Sequence, residues 1–146
     1  MSNQVTLTQS ESQSLSPANA TSRRRSSVTP IEVLTAVFYR VGVNVRVELD
    51  ERLFKILDEA AHADPERLDA FTWHPVYHDN EVVTNAIRIM DGGGTLVREN
   101  ASLSYFRCSP RLAGGYGEAA YEALSKAGLA EAINEIATKI ADTFKE

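Results

Sequence analysis

The feature that most constrains this chain is a stripe near its C-terminal end, where Leu129, Ile133, Ile136, Ile140 and Phe144 recur 4, 3, 4 and 4 residues apart. With 3.6 residues to a turn, that spacing puts all five on one side of an α-helix. The surrounding Ala-rich segment, Gly117 to Lys145, therefore predicts a long amphipathic helix whose stripe must be buried. Two covers are open to it: a β-hairpin expected just upstream, between about Val82 and Cys108, or the same stripe on a second copy of the chain. If the stripe stands exposed on the single chain, its five residues are the first candidates for an interface. Gly128 divides the segment, either ending one helix or marking a weak point in a continuous one.

The opposite end has the contrary character. Residues 1–28 are mostly Ser, Thr, Gln and Asn, with too little apolar surface to offset the entropy of ordering, and they predict a disordered tail. The rest of the 146 residues, 29–146, is the right length for a single domain. The net charge of −5 hides a division, because the first 29 residues carry Arg23, Arg24 and Arg25 against Glu11 alone. A uniformly basic nucleic-acid surface is excluded; a basic arm on an acidic body is not. That arm would make a weak contact with phosphate or an acidic protein surface, or serve only as a solubilising tail. Ser26 and Ser27 follow the arginines as a basophilic kinase requires, and phosphorylation there would cancel the charge.

No apolar run approaches the roughly 18 residues of a membrane span, and Met1 to Ser10 lacks the basic and apolar regions of a secretory signal. A soluble, intracellular protein is the expectation. The single cysteine, Cys108, agrees with a reducing compartment.

Order should begin at Thr29-Pro30-Ile31-Glu32, an N-cap, a first-turn proline and an N3 glutamate that together spell a capping box. The helix should run to about Arg40 and stop at Gly42. Val43, Val45, Val47 and Leu49 alternate with polar residues and predict a strand, which could start as early as Tyr39. Asp50 caps a second predicted helix to about His62, and Asp64-Pro65 starts a short third one to Phe71. Thr72 to Asn80 reads as a loop, with Pro75 forbidding a helix through it. Val83, Asn85, Ile87 and Ile89 alternate as a strand would, Asp91 to Gly94 supplies a turn, and a return strand runs from Thr95 to about Cys108 with a bulge near Asn100. Ser109 to Gly115 reads as a loop. The sum is an α+β fold, a mainly antiparallel sheet of about three strands covered by helices.

Motifs for chemistry are weak. His74 and His78 with Asp79, His62 and Cys108 would suit a metal only if the loop were helical, and no Cys-x-x-Cys or His-Glu-x-x-His accompanies them, so no metal or cofactor is assigned. Trp73 and Tyr77 are expected to pack at the core edge with the histidines at the rim. Cys108 reads as core filler rather than a nucleophile. The Asp91-Gly-Gly-Gly turn lacks the lysine and the following helix of a phosphate loop. Tyr105, Phe106 and Arg107 hint at a base-stacking sheet, but the partner strand offers no second aromatic.

A strand, a glycine turn, a return strand and a closing amphipathic helix make the last 65 or so residues similar to the end of bacterial envelope auxiliary lipoproteins, although the lipidated N-terminus of those proteins is not in this sequence. The resemblance implies an envelope-associated auxiliary domain lacking its leader. The residues themselves point first to a non-enzymatic assembly or interaction protein, self-associating through Leu129, Ile133, Ile136, Ile140 and Phe144, with Arg23 to Arg25 reaching an acidic partner or nucleic acid. A small ligand-binding domain or enzyme using residues 73–79 is the alternative.

Overall fold

A computed structural model describes residues 28–98 and 105–145. The expected capping box opens the first helix, α1 (Pro30–Val41). Thr29 Oγ1 accepts from the Glu32 amide at 3.2 Å, and Glu32 Oε1 accepts from the Thr29 amide at 2.9 Å. Two backbone donors that a helix start leaves unpaired are thereby satisfied. Thr29→Ala removes half of this arrangement and should lower stability by about 1 kcal/mol, read as a shift of the urea midpoint.

Six consecutive residues of α1, Val33 to Phe38, are buried. A helix hydrophobic on nearly all sides belongs at the centre of a fold, and α1 does sit there. It packs against α4 (Glu81–Gly92), α5 (Gly117–Lys126) and α6 (Ala130–Phe144), and touches one face of the sheet. Thr35, the polar member of the run, donates its hydroxyl to the Ile31 carbonyl at 2.7 Å. At the end of α1, Arg40 donates to Asn134 at 2.9 Å, and Asn134 donates to the Tyr121 hydroxyl at 2.8 Å, tying three helices together.

The second helix, α2 (Glu51–Ala63), starts at its expected Asp50 cap and packs against α6. The third, α3 (Pro65–Leu68), is followed by a 3₁₀ turn over Asp69–Phe71. Three strands, β1 (Val47–Glu48), β2 (Leu96–Arg98) and β3 (Tyr105–Cys108), form an antiparallel sheet in the order β1-β3-β2. Val47 pairs with Phe106, and Leu96 with Cys108. Those four side chains are buried. The fold is α+β, as the sequence suggests, with a small antiparallel sheet covered by helices.

Three expectations are corrected. Residues 81–92 are helical, so the hairpin is shorter than expected and comprises only β2 and β3. The buried set, Val83, Thr84, Ala86, Ile87 and Met90, follows the helical period, and Asn80 caps the start with Oδ1 3.4 Å from the Val83 amide. The β-branched residues Val82, Val83 and Thr84 carry strand propensity, but burial of one helical face overrides it. The element order behind the likeness to envelope lipoproteins is therefore not found, because its first strand is α4. The first strand is also cut to two residues, since β3 offers partners only to Val47 and Glu48. Finally, the expected loop at 109–115 contains a π-type turn, Leu112–Tyr116, kinked at Gly114 and leading straight into α5. The bulge expected at Asn100 lies outside the described residues.

The C-terminal segment is two helices. Gly128, at φ +88°, ends α5 in a conformation that a side chain would strain. The Leu129 amide donates to the Leu124 carbonyl at 2.9 Å and the Gly128 amide to Ser125 at 3.0 Å, the two bonds of a Schellman motif, with Leu124 and Leu129 both buried beside them. Arg67 from α3 donates to the Ala127 and Gly128 carbonyls, adding positive charge where the helix dipole favours it.

Candidate functional site

Residues 72–80 hang from the core by one aromatic anchor. The Trp73 amide donates to Asp58 Oδ1 at 2.8 Å, its indole N–H donates to the Tyr77 carbonyl at 3.2 Å, and its ring lies 5.6 Å from that of Phe54. Trp73 is buried as expected, whereas Tyr77 is 65% exposed and its neighbour Val76 67%. Pro75 and the bond from the Tyr77 amide to the His74 carbonyl at 3.0 Å turn both outward.

The histidines do not converge. His62 Nδ1 lies 2.9 Å from the Asp58 carbonyl, His74 Nδ1 accepts from the Val76 amide at 3.2 Å, and His78 stands in solvent 3.9 Å from Glu51. Among the described residues, no group of three His, Cys, Asp or Glu side chains could hold a metal. Open recesses flank the loop, two of them on opposite sides of the Trp73 to Asp79 stretch in sequence. One, of about 370 Å³, is lined by Glu51, Lys55, Asp58, Glu59, Trp73 and Pro75; the other, of about 480 Å³, by Tyr77, His78, Asp79 and Glu81. Between Glu48 and Glu81 ten acidic residues stand against three basic ones, so these recesses are negatively charged, but solvent and salt screen them.

Cys108 lies on the inner face of the sheet, 2% exposed. Burial alone pushes its thiol up to about 11 from 9.0. The thiolate is the nucleophile, so native Cys108 should resist iodoacetamide at pH 8 and react only after denaturation, as mass spectrometry would show. The sign for stability follows from the same shift. The unfolded thiol releases its proton at lower pH than the folded one, so the Cys108 contribution, intact below about pH 9, is lost as pH rises towards 11.

Arg52 is held charged chiefly by its hydrogen bond to Asp50, at 2.8 Å, and lies 4.6 Å above the Phe144 ring. It fastens the start of α2 to the end of the chain, which is a packing role. Tyr105 and Phe106 face opposite ways: Phe106 enters the core, and Tyr105 lies beneath Arg46 at 4.7 Å. One aromatic on the outer face is too few for the paired stacking platform of an RNA-binding sheet.

The five stripe residues, Leu129, Ile133, Ile136, Ile140 and Phe144, are all buried within the single chain. They close its core against α1 and α2, leaving this stripe unavailable as a surface in the fold described. Arg23, Arg24, Arg25, Ser26 and Ser27 lie outside the described residues. Among the described residues, five of the seven large apolar side chains that remain exposed fall between Val76 and Val97: Val76, Tyr77, Val82, Ile89 and Val97. Sequence reasoning missed this concentration by treating 82–90 as a strand, although Val82, Asn85 and Ile89 already recur at helical spacing. Comparison of the chain with known protein families, curated proteins and solved structures finds no match.

Proposed function

We propose that the chain is a non-enzymatic assembly or interaction protein, a self-associating structural subunit whose basic arm contacts an acidic partner or nucleic acid. The observation that carries this reading is the pair of exposed apolar side chains, Val82 and Ile89, on one face of α4, on a body whose long terminal stripe is already buried. Clustered apolar side chains in water favour a partner that covers them. The arm supports the second half of the reading: Arg23, Arg24 and Arg25 can neutralise at most three phosphates, which corresponds to a salt slope of about −2 on single-stranded nucleic acid.

Light scattering of the full chain over a concentration series should show a mass rising towards the dimer. Replacing all three arginines by Glu should leave that rise intact while abolishing the binding of a labelled oligonucleotide or acidic peptide, followed by anisotropy at low salt. A monomer at every concentration, with no binding change on substitution, would overturn the reading.

A second reading has its own observation, the recess beside Trp73 and Pro75, in which a small ligand would meet the sole tryptophan. If Lys55→Ala and Glu59→Ala, both in the wall of that recess, leave every ligand-dependent thermal shift unchanged, this reading is lost.

A further inference from the structure

The outward face of α4 carries an unused arrangement of charge and apolar surface. Val82 and Ile89 are 36% and 60% exposed. Seven residues apart, they lie on the same side of the helix, about 10 Å apart along its axis, with exposed Asn85 between them. Glu81 and Arg88, also exposed and seven apart, border the stripe on one side. Among the described residues neither side chain has a hydrogen-bond or ion-pair partner. Along one helix they are too far apart to pair with each other.

We propose that α4 is the surface through which two copies of this chain associate, packed antiparallel about a two-fold axis beside Asn85. Such an axis carries Val82 of one copy onto Ile89 of the other, and Ile89 onto Val82. It also brings Glu81 opposite Arg88 of the second copy, twice over, because a two-fold contact repeats each pair in reverse. The midpoints of the two pairs differ by one residue, about 1.5 Å of helix rise, which long side chains span easily. The two Asn85 amides meet near the axis, where each can donate to the other's carbonyl, as a buried asparagine pair fixes register in a coiled coil. A second copy is favoured over an unrelated partner because a two-fold rotation of the same helix sets each charge against its opposite and closes the contact after two copies. This inference rests on the self-association reading above and names its surface.

The test is charge reversal in the full chain. Arg88→Glu sets Glu81 against glutamate in both pairs, and Glu81→Arg sets arginine against Arg88. Each variant should dimerise at least tenfold more weakly than the parent in sedimentation equilibrium, with circular dichroism unchanged since both sites are exposed. An equimolar mixture of the two restores opposite charges in both pairs and should regain the parent's dimer. If the parent dimerises and both variants do so equally well, or the mixture fails to recover, this interface is wrong while self-association through another surface stands. If the parent is a monomer throughout, both the interface and the self-association reading fall.

Discussion

Phe38→Ala is expected to remove about 3–5 kcal/mol of stability, the range for truncating a fully buried aromatic, and to lower the urea midpoint by about 2 M. Phe38 is completely inaccessible and lies on the one helix that meets α4, α5, α6 and the sheet. Deleting its ring leaves a cavity that no single neighbour can fill without dragging other elements inward. A domain of this size is stable by about 5–15 kcal/mol, so this substitution alone would consume a large share. Ile89→Ala is the control: at 60% exposure and at a concentration where the chain is monomeric, its cost should stay within about 0.5 kcal/mol. Equal effects at the two positions would mean that α1 is not the centre of the core.

Gly117→Ala sets two effects against each other. Alanine is the better helix former by about 1 kcal/mol, and on that ground the change should stabilise α5. A Cβ at Gly117, however, would stand 2.8 Å from both Cβ and Cδ1 of Tyr39 and would press on the Leu112 carbonyl. Overpacking of this kind costs about 1–3 kcal/mol, and the obstacles here include backbone and a Cβ, neither of which can rotate away. The clash should win, giving a net loss of about 2 kcal/mol in urea denaturation, and trimming Tyr39 to alanine should not rescue it because the Tyr39 Cβ remains. A gain in stability would show that α1 and α5 are farther apart than described.

These two residues also show what the sequence could and could not convey. The start of α1 was legible because a capping box is local chemistry, satisfied within Thr29 to Glu32 whatever lies elsewhere. The start of α2 was legible for the same reason, that of α3 because Pro65 suits a first helical position although Asp64 makes no side-chain cap bond, and the division at Gly128 because glycine favours its positive φ. The demand for glycine at 117 was not, since Tyr39 lies 78 positions away and only the folded chain brings them together. Between Val82 and Ile89 two periodicities coexist, and alternation in the sequence competes with burial in the structure. The decision rested on what packs against the segment, α1 and β2, which no local pattern records. The same misreading hid the candidate interface, because only a helix brings Val82, Asn85 and Ile89 onto one face. The spacing of the terminal stripe does dictate a helix that must be buried, and in the single chain its cover is α1 and α2 rather than a hairpin.

The terminal stripe belongs to the chain's own core, and the association proposed above would have to use another face. Amide hydrogen exchange in α6, measured across a wide dilution series, tests this most directly. Protection at Ile133, Ile136 and Ile140 should be the same at every concentration, because the side chains covering them are intramolecular. Loss of that protection on dilution alone would show that a second copy covers the stripe and that it is not part of the single chain's core.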